Sequence, residues 1–594
     1  MLVLTQGLEK TAKYFPHRVC IQFKQGDSLT QYTYRQIYDL SLKVGRWLFQ
    51  IGIKAEERIA ILLENRPQWG VIYFGIQFCG GTAVPLDIQS KFEEVEYILK
   101  DAQCRALFTS SAVSFIGKLK TLDFLEKIVV VDGQDARGKI VTFSDAISAA
   151  SDKTVLPARQ PHQLASIIYT SGTTDLPKGV MLTHKNFYSN FLSIKRVNIL
   201  QPYDNMLSIL PLHHSYPFLV TLIAPLFLGA RITYLDTLKA DEMSKCLNEE
   251  KITIMVVVPQ ILHLFHRRIT EHFRSLPLVF RLLINFTIEI LWMFRCVFKV
   301  NLSKLVFSKL HSRLGKNLRF LVSGGAKLDE KVARFFFKLG FHIIEGYGLT
   351  EASPVVSLNP FKQPKIGSVG KPLPDVEVKI FDPDREGLGQ ILIKGPNVMK
   401  GYYHLKEETE AVLKGGWLYS GDFGYKDKTG YIYIKGRLKE TIVLSSGKNI
   451  SPEEVEAHYS KSPFIKELCV LPDASQELLV AVVVPDVEYF KKEGETNIYQ
   501  IMKWRLEYLS QGLPSYKRIR NFVLVSDGLP RTRLGKIQRF KVSQIYQEHL
   551  EKKAPKREDE RVELSATQKR VLDILRKTRK VEKISLQDHL ELDL

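Results

Sequence analysis

Short apolar runs recur along the first two thirds of the chain, separated by longer stretches with helical spacing. YRQIYDLSLKVGRWLFQIG, starting at Tyr34, repeats apolar residues three and four apart and predicts an amphipathic helix. RIAILL (58–63), RALFTS (105–110) and KIVVVDG (127–133) are short and rich in branched residues, which predicts strands. The texture resumes in ASIIYT (165–170), DNMLSIL (204–210), ARITYL (230–235), ITIMVVV (252–258) and LRFLVSG (318–324). Strands alternating with helices argue for an α/β protein with mostly parallel sheets. From about residue 367 the pattern turns to Gly-punctuated β segments, VEVKIFD, GQILIKG and GYIYIKG, which predict a small β subdomain. A second α/β unit follows Arg437, with VEAHYSKSP, ELLVAVVVP and NFVLVSD, and the connector GRLKET (436–441) marks the expected boundary. The expected organisation is a large N-terminal domain over 1–436, a small mobile α+β domain over 437–550, and a basic linker with a helical tail over 551–594.

Composition narrows this picture. At 594 residues the chain exceeds what one hydrophobic core supports, in keeping with several domains. With 45% hydrophobic and 25% charged residues and no low-complexity tract, it reads as an ordinary globular protein. The formal charge of +20 favours polyanionic partners: nucleotides, nucleic acid, an acidic carrier protein or an anionic membrane. Its six cysteines are scattered without a CxxC pair, which points to neither a disulfide framework nor a zinc site and suits a reducing cytosol. The N-terminus lacks the basic and apolar regions of a secretory signal.

The first stretch that carries chemistry is YTSGTTDLPKGVMLTH (169–184), directly after an apolar strand-like run. Ser171, Gly172, Thr173 and Thr174 offer successive N–H groups and hydroxyls that can wrap a phosphate, and Lys178 adds a positive charge. The stretch does not match GxxxxGK[ST], so an ordinary P-loop is disfavoured. SGGAKL (323–328), GYGLTE (346–351), WLYSGDFGY (417–425), GRLKETIVLSSGKNISPEEVE (436–456) and LPRTRLGKIQR (529–539) follow in turn. In order and spacing, this set resembles the adenylate-forming (AMP-binding) superfamily, and within it the long-chain fatty acyl-CoA synthetase and acyl-ACP synthetase group. The resemblance runs from about residue 5 to 550.

That resemblance implies ATP and Mg2+ as cofactors and assigns roles to particular residues. Ser171, Gly172, Thr173, Thr174 and Lys178 would contact the β- and γ-phosphates, with Thr173 among the catalytic groups. Glu351 would hold Mg2+, and Thr350 beside it belongs to the nucleotide-binding set. Gly324, Gly325 and Ala326, with Gly346, Tyr347 and Gly348, would line the adenine. Asp422 would accept the ribose hydroxyls, assisted by Arg437. Lys536, in its Gly-Lys-Ile context, would reach the acyl carboxylate and the α-phosphate. Lys439 falls at the implied interdomain hinge, and rotation there would bring Gly447 toward the pantetheine arm of the thiol acceptor. His214 falls beside the implied acyl pocket. One position departs from the family loop TSGTTGxPKG: Asp175 stands where the second glycine is usual, placing an acid near the phosphates.

Two further segments stand apart. In RSLPLVFRLLINFTIEILWMFRCVFK (274–299), Arg281, Asn285 and Glu289 recur every four residues, and Arg295 and Lys299 continue the polar face. The rest of the circumference is apolar, and Lys304, Lys309, Arg313 and Lys316 extend the positive charge. Charges interrupt the run too often for a bilayer span, so an insertion over about 260–316 is expected to be an amphipathic, membrane-associating helix. A hairpin packed on its own domain and an oligomer interface are the alternatives. The tail LSATQKRVLDILRKTRKVEKISLQDHLELDL (564–594), with Ser565 or Thr567 as a helix cap, resembles the first helix of an acyl carrier domain and stops before the serine that would carry phosphopantetheine.

The expected activity is ligation of a long-chain fatty acid through an acyl-AMP to a thioester, with CoA as the default acceptor. Acyl carrier protein is the alternative acceptor, favoured by the carrier-like tail and the basic charge. A fatty acyl-AMP ligase and an inactive membrane-associated homologue are the other readings, the last prompted by Asp175. The expected location is the cytoplasm, peripheral at the inner face of the membrane, with no nucleic-acid partner.

Overall fold

A computed structural model describes residues 3–134, 136–170, 177–298, 300–438, 442–444, 449–473, 475, 477–495, 497–531 and 537–553. Strand Arg58–Leu62 lies in the middle of an eight-stranded sheet. Thr82–Pro85 and Leu164–Thr170 flank it on one side, and Cys104–Thr109, Lys127–Val130 and Ile140–Thr142 on the other, all in parallel. Nearly every residue of Arg58–Leu62 and Thr82–Pro85 is buried, as parallel strands covered on both faces require. Helix Tyr34–Gln50 covers one face. Thr33 caps it by accepting from the Gln36 N–H while the Gln36 side chain returns to the Thr33 N–H, and Ile37, Val44, Trp47 and Leu48 form its buried stripe.

This sheet changes direction where the site lies. Leu164–Thr170 turns into the antiparallel strand Lys178–Thr183, with Thr170 opposite Lys178, and Gly401–Tyr402 pairs with that strand in turn. A nine-stranded sheet places Asn205–Leu207, Ile254–Val257, Phe320–Ser323 and Ile343–Gly348 side by side in parallel. The expected strand over 204–210 is shortened to Asn205–Leu207. The Asp204 side chain, fully buried, instead accepts from Arg319 Nη1, from Thr253 Oγ1 and from the Gln201 N–H, at 2.6, 2.8 and 2.8 Å.

The Gly-punctuated region forms an antiparallel sheet of Glu377–Phe381, Gly389–Lys394, Trp417–Lys426, Leu413–Lys414 and Ile432–Arg437. Gly436 and Arg437, expected in a connector, are the last paired residues of that final strand. Beyond it, strands Ile465–Pro472, Leu479–Pro485 and Ile519–Leu524 build a small sheet packed by helices Pro452–Tyr459 and Ile498–Ser510 through Val455, Tyr459, Met502 and Leu506. The fold is α/β: a large N-terminal part with parallel-rich sheets and a small β subdomain, then a small α+β part. Residues Met1–Phe540 make one compact unit and Lys541–Leu594 a second, of which residues 541–553, in helix Arg539–Lys553, are described. The carrier-like tail over 564–594 lies outside the described residues.

The greasy basic segment forms two long helices, Pro259–Ser275 and Leu278–Phe298, followed by short helices Ser303–Val306 and Ser308–Arg313. Part of the polar stripe turns toward the protein: Glu289 pairs with Lys338, and Arg295 Nη1 donates to the Phe337 carbonyl at 2.6 Å. Ile288 and Leu291 are buried beside them, so the helix packs on its own domain by the edge that carries these charges. Among the described residues no helix is long and apolar enough to cross a membrane.

One buried acid sits in the strand that feeds the site. Glu345 is buried, and desolvation, reinforced by the nearby Glu330 carboxylate, pushes its carboxyl up from 4.5 to about 8, against the smaller effects of Lys327 and the Gly367 N–H. An unfolded glutamate ionises near 4.5, so between there and about pH 8 the native state holds a proton that the unfolded chain has lost. The stability that this proton contributes is fully present below that window and is lost as pH rises through it. Glu345→Gln carries no such proton, so its Tm relative to wild type should rise by several degrees from pH 5 to pH 8. Thermal unfolding of both proteins across that range checks it, and a pH-independent difference would mean that Glu345 is ionised in the native state.

Candidate functional site

The segment Gly346–Glu351 joins several described parts of the candidate site. Strand Ile343–Gly348 ends, Thr350–Ala352 makes one tight turn, and Val355–Leu358 runs back antiparallel. The turn is so close that a Cβ at Gly348 would lie 1.8 Å from the Pro354 carbonyl oxygen, and the Leu349 N–H donates to that same oxygen at 3.0 Å. Only glycine fits there. The reversal sends the side chains of Tyr347, Thr350 and Glu351 toward three different neighbours.

Tyr347 reaches the small β subdomain. Its hydroxyl donates to Asp422 Oδ2 at 2.6 Å, and Arg437 Nε donates to Asp422 Oδ1 at 3.0 Å. Asp422 and Arg437 face one another across paired antiparallel strands, which fixes the carboxylate. Asp422 is buried, and burial together with that carboxylate pushes the Tyr347 phenol well up, so it remains a proton donor. Tyr347 was expected against the adenine; its hydroxyl is committed to Asp422.

Glu351 reaches the other way. Its Oε1 accepts from the Tyr402 hydroxyl at 2.9 Å, and its backbone carbonyl accepts from the Met399 N–H at 2.8 Å. Burial, then the Glu351 charge, pushes the Tyr402 phenol up, so this tyrosine too stays a donor. Because Tyr402 pairs with Val180, the head of strand Lys178–Thr183 is close by: Lys178 Nζ lies 5.8 Å from the Tyr402 ring centre and is ion-paired with Glu408. Thr350 Oγ1 lies 3.0 Å from Ser215 Oγ, which brings in the residue after His214. His214 Nε2 is 3.1 Å from His213 Nε2, and His213 lies 3.7 Å from Asp87.

Gly324 and Gly325 follow the buried strand Phe320–Ser323, with Ala326 next. A Cβ at Gly324 would come within 2.8 Å of the Tyr216 ring, and Gly325 has a φ of +82°. The neighbouring Ser323 hydroxyl is buried with no hydrogen-bond partner among the described residues. The Tyr216 ring thus fills the space a side chain at position 324 would take.

Lys178, Gly324, Gly325, Ala326, Gly346, Tyr347, Gly348, Thr350, Glu351, Asp422, Arg437 and His214 are therefore all within the described residues, and hydrogen bonds or adjacency link most of them through one segment. Ser171, Gly172, Thr173, Thr174, Asp175, Lys439, Gly447 and Lys536 lie outside the described residues. Sequence reasoning missed Tyr402, Ser215, Ser323 and His213. Tyr402 has no local signature, because its relevance comes from strand pairing; Ser323 stood unassigned at the head of SGGAKL, and His213 and Ser215 flank His214 in PLHHSYPF.

The AMP-binding enzyme family model matches residues 8–403, and the AMP-binding enzyme C-terminal domain model matches residues 454–536. A Bacillus subtilis long-chain-fatty-acid–CoA ligase is 29% identical over 90% of this chain and 92% of its own length. A human long-chain-fatty-acid–CoA ligase is 30% identical over 82% of this chain and 74% of its own length. Among solved structures, ATP-bound MatB from Rhodopseudomonas palustris superposes with a TM-score of 0.73 at 26% identity, covering 92% of this chain and 100% of that one. A backbone reversal at Gly348 that sets Tyr347 on Asp422 and Glu351 on Tyr402, in a chain matched by both family models, leads to one assignment: this chain belongs to the family of AMP-binding, adenylate-forming enzymes, the group that includes acid–CoA ligases.

Proposed function

We propose that the protein is an ATP-dependent long-chain fatty acid ligase. A fatty carboxylate oxygen attacks the α-phosphorus of ATP, the bond to the β-phosphate oxygen breaks, and acyl-AMP and pyrophosphate result. A thiol then attacks the acyl carbon and AMP leaves, giving the thioester. The observation that carries the reading is the double anchorage of segment Gly346–Glu351: Tyr347 holds the buried carboxylate of Asp422, fit to accept two hydroxyls, and Glu351 is held by Tyr402, whose ring lies 5.8 Å from the Lys178 ammonium.

A fatty acid is already ionised at neutral pH, so the first step needs no general base. It needs two anions held together and charge neutralised as it builds, which is work for positioned cations and donors. Ser171, Gly172, Thr173, Thr174 and Lys178 serve the phosphates in this reading, and Lys178 exchanges its Glu408 partner for them. Asp422 takes the ribose hydroxyls with Arg437 behind it, and Gly324, Gly325 and Ala326 flank the adenine with Gly346 and Gly348. The carboxylate of Glu351, oriented by Tyr402, is a hard oxygen donor of the kind Mg2+ prefers and would hold it; the ion would supply charge neutralisation on the phosphates. Lys536 meets the acyl carboxylate and α-phosphate, and His214 borders the acyl chain.

The acceptor is CoA in this reading, in keeping with the Bacillus subtilis and human relatives, both of which are named long-chain-fatty-acid–CoA ligases. Acyl carrier protein is the second reading, motivated by the carrier-like sequence over 564–594 and the charge of +20. The division into 1–436, 437–550 and 551–594, with Lys439 as hinge and Gly447 meeting the thiol, belongs to the same proposal. So does a cytoplasmic protein in peripheral contact with the membrane.

Pyrophosphate release on mixing ATP, Mg2+ and fatty acids of graded length, with CoA, carrier protein or neither, tests the reading; no release with any acid contradicts it. Lys536→Ala should slow release by at least about a hundredfold with thermal stability unchanged, and near-normal release would remove Lys536 from the reaction. Tyr402→Phe should raise the Mg2+ concentration for half-maximal rate by about tenfold while leaving the KM for fatty acid unchanged, because the tyrosine orients Glu351 and touches no acyl group. An unaltered Mg2+ requirement would separate Tyr402 from metal binding.

A further inference from the structure

Helix Leu278–Phe298 has the reverse of the polarity that a solvent-facing helix shows. Two of its charged residues, Glu289 and Arg295, are held by the protein, through Lys338 and the Phe337 carbonyl, while Arg281, near its start, is exposed. Its outward surface carries Val279, Leu282, Leu283, Phe286, Met293 and Val297, all exposed, with Val279 at 75% and Phe286 at 66%. At one hundred degrees per residue these fall on one side of the helix, opposite Ile288, and no polar side chain interrupts them. Leu305 and Val306, just beyond the helix, are exposed as well. Single exposed apolar residues are unremarkable, but a continuous row along 21 residues marks a surface that another phase or molecule covers.

We propose that this face lies on an anionic phospholipid bilayer, with the helix in the plane of the interface and its apolar row in the acyl-chain boundary. Charge selects this occupant. Residues 274–316 hold eight Lys or Arg against one acid, Glu289, a net +7 of the chain's +20. Arg274, just before the helix, and Lys304, Lys309 and Arg313, after it, are exposed at the two ends of the apolar row, where lipid phosphates would meet them. A second copy of the chain would set this positive patch against itself. A protein partner would need polar groups within the face to fix its register, and the row offers none, whereas a fluid bilayer needs no register. The helix cannot cross the membrane, so it rests on the surface. The inference deepens the peripheral contact proposed above by naming the element, its orientation and the lipid class, and it does not depend on the acyl acceptor.

Flotation of the full-length protein with vesicles of phosphatidylcholine mixed with phosphatidylglycerol, against phosphatidylcholine alone, reads the proposal directly. Wild type should bind the anionic vesicles at least about tenfold more tightly than the neutral ones. The pair Phe286→Asp and Met293→Asp should lower anionic-vesicle binding at least about tenfold, and so should Lys304→Glu with Lys309→Glu. These exposed positions are remote from the core, so pyrophosphate release with a short, water-soluble acid should be unchanged in both pairs. That assay separates a failure of docking from a failure of the ligase reading. Equal binding of wild type and the aspartate pair, or no binding of wild type to either vesicle, overturns the proposal. Self-association of wild type without lipid that the aspartate pair abolishes also overturns it, and assigns the face to contacts between copies.

Discussion

At residue 348 the chain passes so close to the Pro354 carbonyl that no side chain could be accommodated, and the candidate site is organised outward from that contact. The reversal it permits points Tyr347 at one sheet and Glu351 at another, within a span of five residues. Without it, Asp422 on the β subdomain and Lys178 at the head of its strand would have no common neighbour. The three sheets carry the residues; the tight turn brings them together.

The two anchoring tyrosines explain how carboxylates can be held in place with acceptor capacity to spare. Burial keeps both phenols protonated, so each donates one hydrogen bond to a carboxylate that stays available to other partners. Asp422 keeps remaining lone pairs after accepting from Tyr347 and Arg437, and Glu351 keeps a second oxygen. A fixed carboxylate next to a cation is an arrangement suited to chemistry in which charge moves between anions rather than a proton between acid and base.

Much of this was legible in the amino-acid order. The apolar runs at 58–63, 105–110 and 127–133 became parallel strands because a strand buried on both faces needs little more than branched apolar residues. GYGLTE and WLYSGDFGY marked the two halves of the site because their glycines and acids sit at fixed spacing. Tyr402 was not legible, since its partnership with Glu351 depends on the pairing of Gly401–Tyr402 with a strand more than two hundred residues earlier. The direction of helix Leu278–Phe298 was equally hidden. Periodicity says which residues share a face, but the contacts to Lys338 and Phe337 decide which face turns inward.

The central claim is that the acyl group passes through a mixed anhydride with AMP. It is tested most directly by supplying a fatty acid labelled with 18O in its carboxylate, together with ATP, Mg2+ and CoA, and locating the label by mass spectrometry. Attack on the α-phosphorus followed by transfer to the thiol leaves one carboxylate oxygen on the AMP phosphate, so the account predicts 18O-labelled AMP and unlabelled pyrophosphate. Label in inorganic phosphate with ADP as co-product, or AMP free of label, would contradict it.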